Sequence, residues 1–135
     1  MESERLYRGI FYAGSAWNFL ASVPTIFLVG SLPTIIGIDA PNYPIFVYFN
    51  LMTVSMYGLV QFAVARNLAT ARPYVKILVA AKLLTVLFFV LGVAFLKMPG
   101  ELTGFLGPGI FLDLVFGILF WRYLAFSARQ AVAGQ

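Results

Sequence analysis

Cysteine and histidine are both absent from the 135 residues, and charged residues are scarce at 10%. Without cysteine there is no disulfide, thiol nucleophile, redox dithiol or thiolate metal site. Without histidine the commonest haem and zinc ligand and the commonest general base are gone. No metal and no cofactor are therefore expected. A soluble domain carries roughly a quarter of its residues as charges. This chain has too few to coat a water-facing surface, which excludes an ordinary soluble enzyme.

What fills the chain instead is apolar. Apolar side chains make up 61% of it, including 14 Phe, seven Tyr and two Trp, and the mean hydropathy is +0.92. The length suits one domain, residues 1–135. Four stretches are long enough to cross a bilayer as helix, which takes roughly 20 residues. They cover about residues 9–30, 44–65, 74–96 and 105–126. None alternates with period two, so helices are preferred over barrel strands.

Turn signals separate the four stretches. Pro33, Gly37, Asp39, Pro41 and Asn42 fall in 31–43, and 66–73 is a short polar link. Pro99, Gly100 and Gly104 break the segment KMPGELTG at 97–104, and GPG at 107–109 reads as a distorted helix start. Links this short make sequence neighbours antiparallel. The expected fold is all-α: an integral membrane four-helix bundle running up-down-up-down.

Lysine and arginine set the orientation. Arg5, Arg8, Arg66, Arg72, Lys76, Arg122 and Arg129 lie on the side of the termini and the second link; the other side has only Lys97. Both termini are expected in the cytoplasm, with the chain multi-pass in the inner (plasma) membrane. Arg5 and Arg8 would also suit a signal peptide, but Asn18 interrupts the apolar run and no small-x-small cleavage site follows. The first span therefore reads as an uncleaved helix. The net charge of +4 is a topology signal beside anionic lipid, so no nucleic acid is expected.

The informative residues are the polar ones at depth. At ~1.5 Å per residue, Lys82 sits ~12 Å from Tyr74 and Asp113 ~13 Å from Arg122. Adjacent antiparallel helices bring the two to one level, and an ion pair is the natural reading. Asn18 and Tyr57 reach the same level on the other two helices. Asn50, Thr53, Tyr57 and Gln61 form one polar stripe, which would be costly against lipid and more readily lines an interior seam or a wet cavity. Gln61 taken alone reads as an interfacial side chain. Gly109 and Gly117 flank Asp113 at helical spacing and allow close approach. The candidate ligand-binding residues are therefore Asn18, Tyr57, Gln61, Lys82 and Asp113. The competing reading is structural: polar contacts in membrane bundles often only join helices, at about 0.6 kcal/mol each.

The four-helix layout with cytoplasmic termini, the pair Trp17–Asn18, and RNLATARP at 66–73 before a helix bearing Lys82 together resemble the DoxX-like superfamily. These are small bacterial four-helix membrane proteins. The resemblance is mostly architectural and implies a setting near membrane redox chemistry, since some members are associated with quinone-linked oxidation of sulfur compounds. This chain lacks the cysteines of some redox-associated relatives, so a thiol role is not implied. A more remote likeness is to sterol-isomerase-type bundles, onto which only Asp113 carries across.

Three functions fit these residues. The preferred one is a non-catalytic accessory protein, or a binder of a lipophile such as a quinone or lipid, alone, as a homo-oligomer or within a larger membrane complex. The second is a cofactor-free isomerase-type enzyme in which Asp113 moves protons while Lys82 or Tyr57 stabilises negative charge. The third is a small proton-coupled transporter acting as an oligomer, with Asp113 as carrier.

Overall fold

The computed structural model describes residues 3–133, with side chains to Ala131; residues 1, 2, 134 and 135 of the expected domain lie outside it. The chain is helical, with no strand among the described residues. Helix α1 spans Glu4–Leu28. Ser3 caps it by accepting the Leu6 amide at 3.3 Å, and Glu4 complements the positive end of the helix dipole. Pro24 lies in its last turns, where Thr25 and Ser22 bond back to Ala21 and Asn18 carbonyls, both at 2.7 Å.

The segment expected as a plain link contains a short helix, α2, Leu32–Ile36. Gly37 ends it in the left-handed region, φ 76°, with the Ile38 amide on the Pro33 carbonyl at 3.0 Å. Helix α3 follows over Pro44–Arg66, opened by Pro44. The Asn67 amide bonds the Ala63 and Val64 carbonyls. A 3-10 turn, Leu68–Thr70, then leads into α4, Arg72–Phe95.

Helix α5 runs over Gly100–Ala133. It starts five residues earlier than expected and continues through the GPG segment. Thr103 sends both its amide and its hydroxyl to the Pro99 carbonyl, at 2.9 and 3.0 Å, and so secures the first turn. Pro108 then removes one helical hydrogen bond and not the helix. The 34 residues span roughly 51 Å, more than the ~30 Å hydrocarbon core of a bilayer.

Helix α1 packs chiefly on α3, and α4 chiefly on α5; the two pairs touch each other lightly. The core gathers at the basic end. Tyr7 and Phe11 from α1 meet Val64 and Ala65 from α3, Leu68 and Ala71 from the link, Val75 and Leu78 from α4, and Phe120 and Tyr123 from α5. Phe11 stacks on Phe120 with ring centres 4.6 Å apart. The Tyr123 hydroxyl donates to the Leu68 carbonyl at 2.7 Å and pins the link.

Large apolar side chains cover the outside, among them Phe46, Phe88, Phe95 and Phe111. Among the described residues three helices are long and apolar enough to cross a membrane: α3, α4 and α5, with mean hydropathy 1.4, 2.6 and 1.8 over their best windows. This outer surface suits lipid as solvent, and the chain is consistent with a membrane protein. Helix α1, at 25 residues, is longer than α3 and α4 but is not one of the three, because Ser15, Asn18, Ser22 and Pro24 dilute its apolar run.

Candidate functional site: an ion pair beneath a polar cavity

The α1–α3 pair is built from small residues. Ser15 donates to the Gly58 carbonyl at 2.8 Å, and Ser22 and Ser55 hydroxyls meet at 2.8 Å. Gly58 takes the Phe19 ring, whose nearest carbon would lie 3.2 Å from a β-carbon there. Ser22 occupies the backbone carbonyl of Asn18. The Asn18 side chain stays free to point across the pair boundary.

The α4–α5 pair supplies the charges. Gly117 has no β-carbon, and the Cβ of Lys82 lies 3.4 Å from where one would be. The lysine stem therefore runs along α5. Its ammonium donates to Asp113 Oδ1 and, at 2.9 Å, to Asn18 Oδ1. Lys82 is 7% exposed and Asn18 2%. The long stem does not snorkel to the surface, because both acceptors sit at depth. The expected ion pair is thus present, and it ties α1 to α4 and α5.

A cavity of about 130 Å³ lies against this group. Asn18, Lys82 and Asp113 meet it, and its other walls are Asn50, Thr53, Val54 and Tyr57 from α3 and Leu78, Ala81 and Thr85 from α4. Thr53 and Thr85 are exposed, and their hydroxyls bond back to the Phe49 and Ala81 carbonyls at 2.8 and 3.0 Å. Asn18 Nδ2 is buried with no hydrogen-bond partner.

Four of the five candidate residues meet here: Asn18, Tyr57, Lys82 and Asp113. Gln61 does not line the cavity, nor is it interfacial; it is fully buried, 0% exposed. One helical turn from Tyr57, toward the packed end, it lies against Gly14, with Phe120 also against that glycine. Both of its amide atoms are unpartnered. Sequence reasoning missed Thr85, although its signal was available: a hydroxyl one turn from Lys82 on the same face.

The ion pair leaves the site with balanced charge. Of the three ammonium donors of Lys82, two are used. Charge-paired, donor-rich and only partly filled, the arrangement can hold a polar head against apolar walls. No family model, curated protein or solved structure matches the chain.

Proposed function

We propose that the chain is a four-helix, up-down-up-down protein of the inner membrane with both termini in the cytoplasm, and that it binds a lipophile without transforming it. The polar head of a quinone or lipid sits at Asn18, Lys82 and Asp113, and its tail lies along the apolar helix faces. One observation carries this reading: the ion pair borders a cavity of about 130 Å³. A pair that only joined helices would be closed over by side chains, because unfilled space forfeits packing contacts. The seven basic residues at the packed end against Lys97 at the other support the orientation.

The test is organic extraction and mass spectrometry of the protein purified in mild detergent. A lipophile is expected at near one per chain in the native protein and to be lost in Ala81→Phe, which fills the cavity from its α4 wall. A bare native protein, or retention of the molecule in a folded Ala81→Phe variant, overturns the reading.

A further inference from the structure

We propose that the cavity seats an uncharged head group that offers an oxygen acceptor, such as an ester or ketone carbonyl, and that this amphiphile enters sideways from the membrane between α3 and α4. The inference rests on the lipophile-binding reading and adds the charge of the head, its hydrogen-bonding sense and its route.

The hydrogen-bonding sense follows from Asn18 and Lys82. Its Oδ1 must face Lys82, since an ammonium is donor only. That fixes the amide orientation and turns Nδ2 away, where it is buried and unpartnered. A buried donor without an acceptor costs about 1–3 kcal/mol. Lys82 adds a third ammonium hydrogen beyond the two in use. Nδ2 itself is enclosed by protein, so the donor that a guest can meet is the third hydrogen of Lys82, which lines the cavity and calls for an acceptor.

The charge of the head follows from the pair. Lys82 and Asp113 already neutralise each other. An anionic head would meet the Asp113 carboxylate, and a cationic one would meet the Lys82 ammonium. Either leaves one unbalanced charge in a poorly solvated site, which is expensive. A neutral carbonyl can accept from Lys82 and leaves the charge balance undisturbed.

The route follows from the walls. The cavity is bordered mainly by α3 and α4, which pack on different partners and touch each other little. The exposed hydroxyls of Thr53 and Thr85 mark its mouth, and each is already satisfied by its own helix, so the mouth can face lipid cheaply. At about 130 Å³ the space is close to the ~150 Å³ that accommodates benzene in an engineered apolar cavity. A head fits and a chain does not, which leaves the chain in the seam.

The two tryptophans allow a direct test. Trp121→Phe leaves Trp17, next to Asn18, as the sole indole. Trp17→Phe leaves Trp121, 62% exposed, as a reporter of bulk partitioning. Three probes share one alkyl chain brominated near its head and differ only in that head: a methyl ester, a carboxylate and a primary ammonium, at a pH where the last two are charged. Saturable quenching of Trp17 is expected from the ester at a mole fraction about tenfold below either charged probe, a gap of ~1.4 kcal/mol. Quenching of Trp121 should follow partitioning without saturation. Thr85→Phe, at the exposed mouth and away from the core, should weaken ester quenching while keeping the melting temperature.

Saturable quenching that is equal for the three heads, or tighter for a charged one, overturns the neutral-head inference and leaves lipophile binding standing. Ester quenching unchanged by a folded Thr85→Phe protein overturns the lateral route. No saturable quenching by any probe overturns both inferences and the lipophile-binding reading with them.

Discussion

Lys82 of α4 reaches Asn18 of α1, Nζ to Oδ1 at 2.9 Å, between two helices whose backbones hardly approach each other. The α1–α3 pair is held by small residues and serine hydroxyls, and the α4–α5 pair closes over Gly117. Between the pairs, at this level, the hydrogen bond is that of Lys82 to Asn18; its other acceptor, Asp113, lies on α5 within its own pair.

Removing that lysine is expected to be costly. Lys82→Met leaves the Asp113 carboxylate largely buried without a counter-charge, a loss of about 3 kcal/mol. Adding Asp113→Leu should recover most of it, because a buried pair replaced by apolar groups of similar size is close to neutral. Thermal unfolding of both single variants and the double variant in one detergent measures this. A double variant no more stable than the sum of the single losses would mean that the two side chains are not coupled.

Asp113→Asn separates binding from bracing. The amide keeps the size of the carboxylate and still accepts from Lys82, so the expected loss of stability is modest, about 1–2 kcal/mol. It leaves the Lys82 charge unbalanced, so the copurifying lipophile should fall away. Melting temperature and extracted lipophile are read on the same sample. Full occupancy in the folded variant would reduce the pair to a structural brace.

Gly14 and Gln61 form a second close relationship. A β-carbon on Gly14 would stand 2.5 Å from Gln61 Oε1 and 3.1 Å from the Phe120 ring. Gly14→Ala is expected to destabilise by about 1–3 kcal/mol through overpacking. Gln61→Met, of similar shape, removes two unpartnered buried groups and should raise stability by about 1 kcal/mol. Denaturation of the two variants beside the native protein decides this; a Gln61→Met variant less stable than native would show that the amide has a buried partner, such as a water.

The orientation is tested with single cysteines, since the native chain has none. Asn42, Thr70, Glu101 and Gln130 are all exposed. Cysteine at Asn42 or Glu101 should react with an impermeant maleimide added outside intact cells. Cysteine at Thr70 or Gln130 should react only after permeabilisation. The inverse pattern would place the seven basic residues outside.

The helical segments were largely legible in the sequence. Expected segments 44–65 and 74–96 correspond to Pro44–Arg66 and Arg72–Phe95. Apolar runs and proline breakers act locally, so a reader of the chain can use them. The start of α5 was not legible, because a proline inside an apolar helix looks from the sequence like a proline before one. The shortfall of α1 is partly legible: Asn18 interrupts its apolar run in the sequence, but that Ser15 and Ser22 turn toward α3 is decided only by packing.

By itself, then, the sequence determined that the chain is helical and apolar, where most of its long helices run, which residues cannot do chemistry because they are absent, and that Asn18, Tyr57, Lys82 and Asp113 stand at one depth. Depth follows from counting at a constant rise per residue. Tertiary structure alone decided what each of those residues meets. It placed Tyr57 at a cavity and Gln61, on the same helix face, in a sealed core one turn away. It also gave Asn18 a lysine on the oxygen side of its amide and no hydrogen-bond partner on the buried nitrogen side. The reason is geometric. How closely two helices approach, and at what rotation, is set by glycines and serines such as Gly14, Ser15, Gly58 and Gly117, and their effect exists only once two helices are side by side.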